Sequence, residues 1–372
     1  MNIIQWGQDM KNWMQKGMGI CSVALVFAAV ACVLGRLPVL QAKDAAFAAA
    51  GFIMPAGAAE AMKEDYLEED EEDNEHGSSE SPVSSGVNSA PASSQDSSGT
   101  GVSSQAASST ASGTSSSPVT LPKGVKEMSI ANSGSQYNNI WVKNTNKNHT
   151  VDIASELQKQ PAVKIVKNST PQVLIYHTHT TEAFLGDTRS QDKAKSVVAV
   201  GDQIAAQLKA AGINVVHDTT LHDYPSYNGS YDRSKVTMQN NLKKYPGIQV
   251  TLDIHRDAMG TSDGTRIKPT ATVNGRKAAQ VMIISGCDDD GTLGFPNWEY
   301  NFRLAVRLQK SLADLYPGLA RPLNFCARKY NENLTKGSLL IEFGTEVNTL
   351  DEAVYSGELF GKALVNVLNG LT

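Results

Sequence analysis

The sequence predicts an α/β protein whose C-terminal part folds as a mostly parallel, twisted sheet with helices on both faces. Short runs of branched and aromatic residues, such as Val173–Tyr176, alternate along this part of the chain with longer segments of helical periodicity. These apolar runs end abruptly in polar or turn residues, which is typical of strands buried within a parallel sheet. We therefore expect residues 171–372 to form one domain around a single core.

The elements are expected in a regular order from residue 121 onwards. A strand at 140–142 precedes a helical turn at 151–157, which begins at Thr150 as its N-cap. Further strands are expected at 173–176, 213–216, 248–254, 280–285 and 338–343. Helices are expected at 195–211, 231–245, 297–316 and 350–368, and Gly212 is a favourable stop for the first of them.

The first 120 residues have a different character. Residues 17–35 contain no charged side chain and are long enough to cross a bilayer, and Lys11 and Lys16 precede them. We expect an uncleaved transmembrane anchor with a cytoplasmic N-terminus, the alternative being a cleaved signal peptide, and either places the C-terminal domain outside the cytoplasm. The expected segments are 1–16 cytoplasmic, 17–35 anchor, 36–63 Ala-rich stalk, 64–120 disordered acidic and Ser-rich linker, 121–170 N-terminal extension, and 171–372 catalytic domain.

Charge and cysteine content exclude some classes and leave others open. The formal charge is −5, but nine acidic residues lie within 64–75, and the rest of the chain is at about +4 without them. Such a mild excess lacks the dense basic stripe of a nucleic-acid-binding protein, so no nucleic-acid partner is expected. Cys287 and Cys326 are compatible with either one disulfide or two buried free thiols, and the sequence does not choose between them.

Polar side chains follow three of the predicted strands. His177, His179 and Glu182 come directly after the first of these strands, within the segment QVLIYHTHTTEAF. His255 ends the second strand in LDIHRDA, and Glu342 ends the third in LIEFGTEVN. Parallel strands bring their carboxyl ends to one crevice, where open α/β sheets bind ligands. We therefore expect these side chains to meet although they are far apart in sequence.

These residue types suit a catalytic zinc site. Imidazole and carboxylate ligands without cysteine are typical of a Zn²⁺ ion that has three protein ligands and one open position. Two histidines and Glu182 would bind the ion, while Glu342 would act as general base. Each residue also has an ordinary structural explanation, such as a bond to a backbone carbonyl or a salt bridge, but three polar strand ends in one sheet favour the functional interpretation.

Other polar residues near these strand ends have simpler interpretations. His217 and His222 are expected at the surface. Arg256 and Arg266 suit either a substrate carboxylate or a salt bridge of the scaffold.

The chain resembles the stage II sporulation protein P family of Gram-positive bacteria, whose catalytic domain is similar to zinc-dependent N-acetylmuramoyl-L-alanine amidases. The resemblance extends from about residue 171 to the C-terminus. Four segments carry it: VLIYHTHTTEAF, AAQLKAAGINVV, LDIHRDA and IEFGTEVNT. Their order and spacing are much more specific than any one of them. The resemblance implies a zinc amidase-like fold.

The resemblance also implies roles for individual residues. His179 and His255 match the family's liganding histidines, Glu342 matches its catalytic glutamate, and Asn348 closes the same motif as a candidate substrate contact. The family's liganding glutamate falls on Lys193, which cannot bind a cation, so Glu182 is the expected third ligand. His177 remains an alternative ligand or a substrate contact. Arg256 is a second candidate contact with substrate.

The sequence thus leads us to expect a membrane-anchored, zinc-dependent peptidoglycan hydrolase that cleaves the lactyl–L-alanine amide of stem peptides. The resemblance further implies cross-link endopeptidase activity, a role in engulfment, and a location in the intermembrane space of the sporulating cell. It also implies two partners, a glycan-cleaving sporulation hydrolase and a membrane protein that recruits both. The alternatives are a non-catalytic wall-binding scaffold and an exported metalloprotease or deacetylase.

Overall fold

The computed structural model describes residues 121–372, and the structural findings below concern this range. The expected anchor, stalk and linker lie outside the described residues. Within residues 121–372, no helix has both the length and the apolar character needed to cross a membrane.

The described part of the chain contains eleven strands and five α-helices. The strands are β1 (Val125–Met128), β2 (Ser135–Tyr137), β3 (Ile140–Asn144), β4 (Val173–Tyr176), β5 (Val215–His217), β6 (Val250–Asp257), β7 (Arg266–Val273), β8 (Arg276–Ala279), β9 (Val281–Gly286), β10 (Leu323–Cys326) and β11 (Ser338–Thr345). The helices are α1 (Ile153–Gln158), α2 (Val197–Ala210), α3 (Ser230–Lys244), α4 (Trp298–Leu315) and α5 (Leu350–Asn369).

Eight strands form one mixed sheet in the order β2-β3-β10-β9-β11-β6-β4-β5, and the other three form a small sheet in the order β1-β7-β8. In the large sheet, β5, β4, β6 and β11 run parallel to one another. Strands β9, β10 and β3 form a second parallel block, which meets the first in the antiparallel pair β9/β11. The α/β class is confirmed, but the sheet has two parallel blocks of opposite direction, and their carboxyl ends lie at opposite edges.

Helices cover both faces of the large sheet, as predicted. The larger core contains Val173 and Ile175 of β4 together with apolar residues of α2, α4 and α5. The other face of β4 carries Leu174 and Tyr176, which pack with Met238 of α3 in a smaller core. Because successive residues of a strand point to opposite faces, each side chain of these strands points either toward α2 or toward α3. We call these two faces the α2 side and the α3 side of the sheet.

Most predicted helix bounds agree with the structure to within one or two residues, because capping residues and a glycine stop begin and end the helices where the sequence predicts. Ser196 caps α2 through Val198 N–H, and Gly212 follows the helix with a φ of 75°. Thr349 and Glu352 form a capping box at α5. The prediction that Thr150 caps α1 is wrong, because Asp152 accepts the hydrogen bond from Ser155 N–H instead.

The prediction missed β1, β2, β10 and the hairpin of β7 and β8. That hairpin turns at Asn274 and Gly275, which both have positive φ, as a two-residue type I′ turn requires. Residues 121–170, expected as an extension, contribute β3 to the large sheet through β10 and β1 to the small sheet through β7.

Candidate functional site

The three predicted strand ends are neighbours at one edge of the large sheet. In the pairing register, Tyr176 of β4 lies beside Asp253 of β6, and His255 of β6 lies beside Glu342 of β11. On β6, Leu252 and Ile254 belong to the core on the α2 side. Asp253, His255 and Glu342 therefore share the α3 side of the sheet, and the sequence-predicted crevice is lined by groups that point the same way.

Glu182 reaches this crevice from the loop after β4. Its Oε2 lies 3.6 Å from His255 Nδ1 and accepts a 2.9 Å hydrogen bond from Arg256 N–H. The carbonyl of Glu182 accepts from Val197 N–H at the start of α2. Glu182 thus lies beside the first turn of that helix, whereas Lys193, which the family pattern places there, bonds Thr219 at the exposed surface.

The carboxylate of Asp253 lies closer to the ring nitrogens of His255 than that of Glu182 does. Its Oδ1 lies 2.9 Å from His255 Nε2, and the same carboxylate accepts hydrogen bonds from the backbone and hydroxyl of Thr178. Burial acts to lower the pKa of His255, but the negative charges of Asp253, Glu182 and Glu342 outweigh it and raise that pKa to about 10. In the metal-free protein the neighbouring carboxylate of Asp253 therefore favours the protonated form of His255.

His179 lies in the same crevice with its ring centroid 5.2 Å from that of His255. Its ring stacks on Tyr227 at 4.3 Å, and its nitrogens hydrogen-bond the Tyr227 hydroxyl at 3.0 Å and the Ser230 hydroxyl at 3.3 Å. Burial holds the pKa of His179 well below its usual value, so the ring is neutral. Of the three predicted ligands, Glu182 and His255 are in ligand-like proximity, while His179 directs its nitrogens to these two hydroxyls.

His177 lies on the other side of the sheet. It follows Val173 and Ile175 in the alternation, and its ring bonds the carbonyl of Ile254 at 2.9 Å and His217 Nε2 at 2.8 Å. His217 in turn bonds Asp202. The geometry therefore favours His179 over His177 as the histidine that serves the crevice.

The expectation that His217 and His222 are surface residues is wrong. The side chain of His217 is only 8% exposed. His222 is buried and bonds the His177 carbonyl and the Thr237 hydroxyl. Both side chains are satisfied within the scaffold.

Glu342 has the properties of a general base that is partly withdrawn from water. The residue as a whole is half-buried, but its Oε2 is buried and makes no hydrogen bond with the described residues. Burial, with the charges of Asp257 and Glu182, raises the pKa of Glu342 to about 8. Such a carboxyl can exchange a proton near neutral pH.

Two residues predicted to contact substrate make hydrogen bonds within the protein. Asn348 is fully buried, accepts from Thr345 N–H, and donates to the carbonyl of Pro269 and to Glu352. Its amide holds the turn after β11. Arg256 donates from Nε to the Ala183 carbonyl and from Nη2 to the Thr188 carbonyl, and thereby holds the loop that carries Glu182.

Glu182 and His255 have the spacing of two ligands of one zinc ion, whereas the nitrogens of His179 would have to exchange the hydroxyls of Tyr227 and Ser230 for the metal. Two ligands of a tetrahedral zinc, each about 2.1 Å from the metal, are about 3.4 Å apart, close to the separation of Glu182 and His255. His255 Nδ1 faces Glu182 Oε2, while Nε2 faces Asp253 Oδ1 on the other side of the ring. Buried Glu342 Oε2 lacks a hydrogen-bond partner among the described residues. Unsatisfied buried polar atoms are uncommon, and a catalytic role is one of their recognised explanations.

Sequence reasoning missed three residues that shape this crevice. The position of Asp253 could have been predicted, because residues two apart on a strand share a face and Asp253 precedes His255 by two. Tyr227 and Ser230 come from the loop before α3 and its first residue. Their sequence holds no pattern that points to His179, so only the packing of α3 reveals the contact.

Fold and crevice together define an α/β protein with a histidine–carboxylate site at the carboxyl ends of its strands. Residues 48–365 match the family described as Stage II sporulation protein P (SpoIIP). Stage II sporulation protein P of Bacillus subtilis (strain 168) is 31% identical over 198 residues, which cover 48% of this chain and 47% of that protein. The chain thus spans about half the length of the curated relative it matches. Because the family match covers most of the chain, the chain belongs to the stage II sporulation protein P family.

Two solved structures illustrate the structural similarities. N-acetylmuramoyl-L-alanine amidase AmiC2 of Nostoc punctiforme is 14% identical with a TM-score of 0.33, covering 55% of this chain and 97% of that chain. The CwlD amidase from Clostridioides difficile, solved in complex with the GerS lipoprotein, is 13% identical with a TM-score of 0.33, covering 54% and 98%.

Proposed function

We propose that this chain is a zinc-dependent peptidoglycan hydrolase that cleaves the amide between the lactyl group of the glycan and L-alanine of the stem peptide. The observation that carries the proposal is the convergence of Glu182, His255 and Glu342 from three chain segments into one crevice. Membership of a sporulation family supports a cell-wall polymer as substrate.

The ion would be held by His179, Glu182 and His255. Bound there, Zn²⁺ supplies a Lewis acid that polarises the scissile carbonyl and acidifies water. Asp253 holds the ring of His255 in place, and Arg256 holds Glu182 through its backbone N–H and through the loop carbonyls. These contacts orient the ligands before the metal arrives.

Glu342 would carry the proton during the reaction. As a carboxylate it takes the proton from the attacking water, and as a carboxylic acid it returns that proton to the leaving amine of L-alanine. In the metal-free protein, burial and the charges of Asp257 and Glu182 raise the pKa of Glu342, and the positive charge of a bound ion would favour its carboxylate form. The unpartnered Oε2 leaves one oxygen free for this exchange.

The test uses the purified full chain in detergent. Bound zinc is measured, peptidoglycan is digested, and the products are analysed by mass spectrometry. We expect free stem peptides and bare glycan from the wild type, and neither from Glu342→Gln with zinc retained. His255→Ala should bind one equivalent of zinc fewer than the wild type. A wild type that holds zinc and releases no wall fragments would support a non-catalytic wall-binding scaffold. Activity on other peptides, or deacetylation of the glycan, would instead support the metalloprotease or deacetylase alternative.

The remaining parts of the proposal rest on the sequence. Residues 17–35 would anchor the protein in the cell membrane with the domain in the intermembrane space, and residues 64–120 would give it reach into the wall. Cleavage of peptide cross-links and association with a glycan-cleaving hydrolase and a membrane recruiter are part of the same proposal. Cross-link products in the same digest, and co-purification from sporulating cells, test them directly.

A further inference from the structure

The edge of the large sheet opposite the crevice also collects strand ends. Strands β9, β10 and β3 run against β11, so their carboxyl ends meet at that edge. Cys287 and Asp289 directly follow β9, and His149 lies in the segment that follows β3. The rule that parallel strands deliver polar groups to a common crevice therefore applies twice in this mixed sheet.

The three side chains that meet there are a complete set of metal donors. One ligand atom from each of His149, Cys287 and Asp289 lies within 4.8 Å of both others. Within residues 121–372, this is the one group of three His, Cys, Asp or Glu side chains that meets this distance. Ligands of one zinc ion are about 3.3 to 3.8 Å apart. The three ligand atoms, which lie within 4.8 Å of one another, would therefore approach each other by no more than about 1.5 Å on binding.

Contacts around the group hold its members in place. Asp289 accepts hydrogen bonds from Lys147 N–H at 3.0 Å and Asn148 N–H at 2.9 Å, which ties the segment bearing His149 to the end of β9. The His149 ring packs against Trp298 at 4.7 Å. Its Nε2 lies 3.3 Å from the Asp288 carbonyl, and if Nε2 donates to that oxygen, Nδ1 carries the lone pair that a metal needs.

The surroundings favour a cation with affinity for sulfur. Cys287 is completely buried, and the neighbouring Asp288 and Asp289 add negative charge beside it. Thiolate with imidazole selects zinc and related transition metals over Ca²⁺ and Mg²⁺, which prefer oxygen ligands alone.

We propose that His149, Cys287 and Asp289 form a second metal site, for Zn²⁺ or a similar thiophilic divalent ion. The site is separate from the crevice and does not depend on the proposed hydrolase function. The ion joins the segment after β3 to the end of β9, and so links the sheet strands that are contributed by distant parts of the chain. A fourth position is left for water or a backbone carbonyl.

The test is a Co²⁺ titration of the full chain in detergent, metal-free and with its thiols reduced. A thiolate bound to Co²⁺ gives a charge-transfer absorption in the near-ultraviolet, whereas the predicted crevice site contains no cysteine and gives none. We expect the band in the wild type and in His255→Ala. It should be absent from Cys287→Ala, while Cys326→Ala, which removes the other buried thiol of the domain, should retain it.

Two milder variants test the same site in case Cys287→Ala does not fold. Asp289→Asn keeps one of the two oxygens that accept from Lys147 N–H and Asn148 N–H, and His149→Gln changes a half-buried ring. Each should weaken Co²⁺ binding at the thiolate site by about 10- to 100-fold or more. The proposal is overturned if the reduced wild type gives no thiolate band, if the band survives Cys287→Ala, or if both milder variants bind Co²⁺ as the wild type does.

Discussion

Replacing Glu342 by glutamine should change the stability of the metal-free domain in a pH-dependent way, and the variant should gain stability relative to wild type as pH rises from about 4.5 to 8. In the folded protein the pKa of Glu342 is raised to about 8 from an ordinary value of 4.5. Between these values the unfolded chain is ionised at this position while the folded chain holds the proton. Ionisation therefore pulls the equilibrium toward the unfolded state as pH rises above 4.5, and this cost levels off above pH 8.

The size of the effect follows from the two pKa values. At 1.36 kcal/mol per pKa unit, a gap of about 3.5 units corresponds to about 5 kcal/mol above pH 8, and to about 3 kcal/mol at pH 7. These are upper values, because Glu342 is only half-buried as a residue and is partly screened by solvent. The glutamine amide brings a pH-independent cost of about 1 to 3 kcal/mol if it finds no partner.

The assay is urea unfolding of residues 121–372 with a chelator present, at about pH 4, 6 and 8.5. The free energy of unfolding of Glu342→Gln, relative to wild type, should rise by up to about 1.4 kcal/mol per pH unit between pH 4.5 and 8. Glu358→Gln, which removes a carboxylate paired with Lys362 at the surface of α5, is the control and should show little pH dependence. A difference for Glu342→Gln that is the same at all three pH values would refute the reasoning.

Three further predictions concern the surroundings of the crevice. Because carboxylates raise the pKa of His255 to about 10, zinc binding near pH 8 to Cys287→Ala, which lacks the second site, should release the His255 proton, and calorimetry in two buffers of different ionisation enthalpy should count it. Arg256→Ala should weaken zinc binding about 10-fold by loosening the loop of Glu182, whereas Arg266→Ala, at an exposed position, should not. Asn348→Ala should lower the free energy of unfolding by about 2 to 4 kcal/mol, because it leaves buried partners unpaired, and a change in KM without loss of stability would contradict this.

Much of the site was predictable because its residues sit at strand ends. An apolar run that stops at a histidine or a glutamate marks the carboxyl end of a buried strand, and this rule located His255 and Glu342 correctly at one edge. The roles of Asn348 and Arg256 were not predictable, because hydrogen-bond partners such as the carbonyls of Pro269 and Thr188 are distant in sequence.

The choice between His177 and His179 as the crevice residue also depended partly on the sequence and partly on the tertiary structure. Strand alternation places His177 with Val173 and Ile175, but which helix covers that face is set by packing. The structure answers this by placing His177 against His217 beneath α2 and His179 against Tyr227 beside α3.

The sequence by itself determined the α/β class, the main helices and strands, and the identity of most polar groups at the strand ends. It could do so because hydrophobic periodicity, caps and strand ends are local properties of the chain. Only the tertiary structure decided that β9, β10 and β3 run against β11, since strand direction depends on pairing between distant segments. That reversal gives the sheet two opposite edges with carboxyl ends, one holding Glu182, His255 and Glu342 and the other holding His149, Cys287 and Asp289.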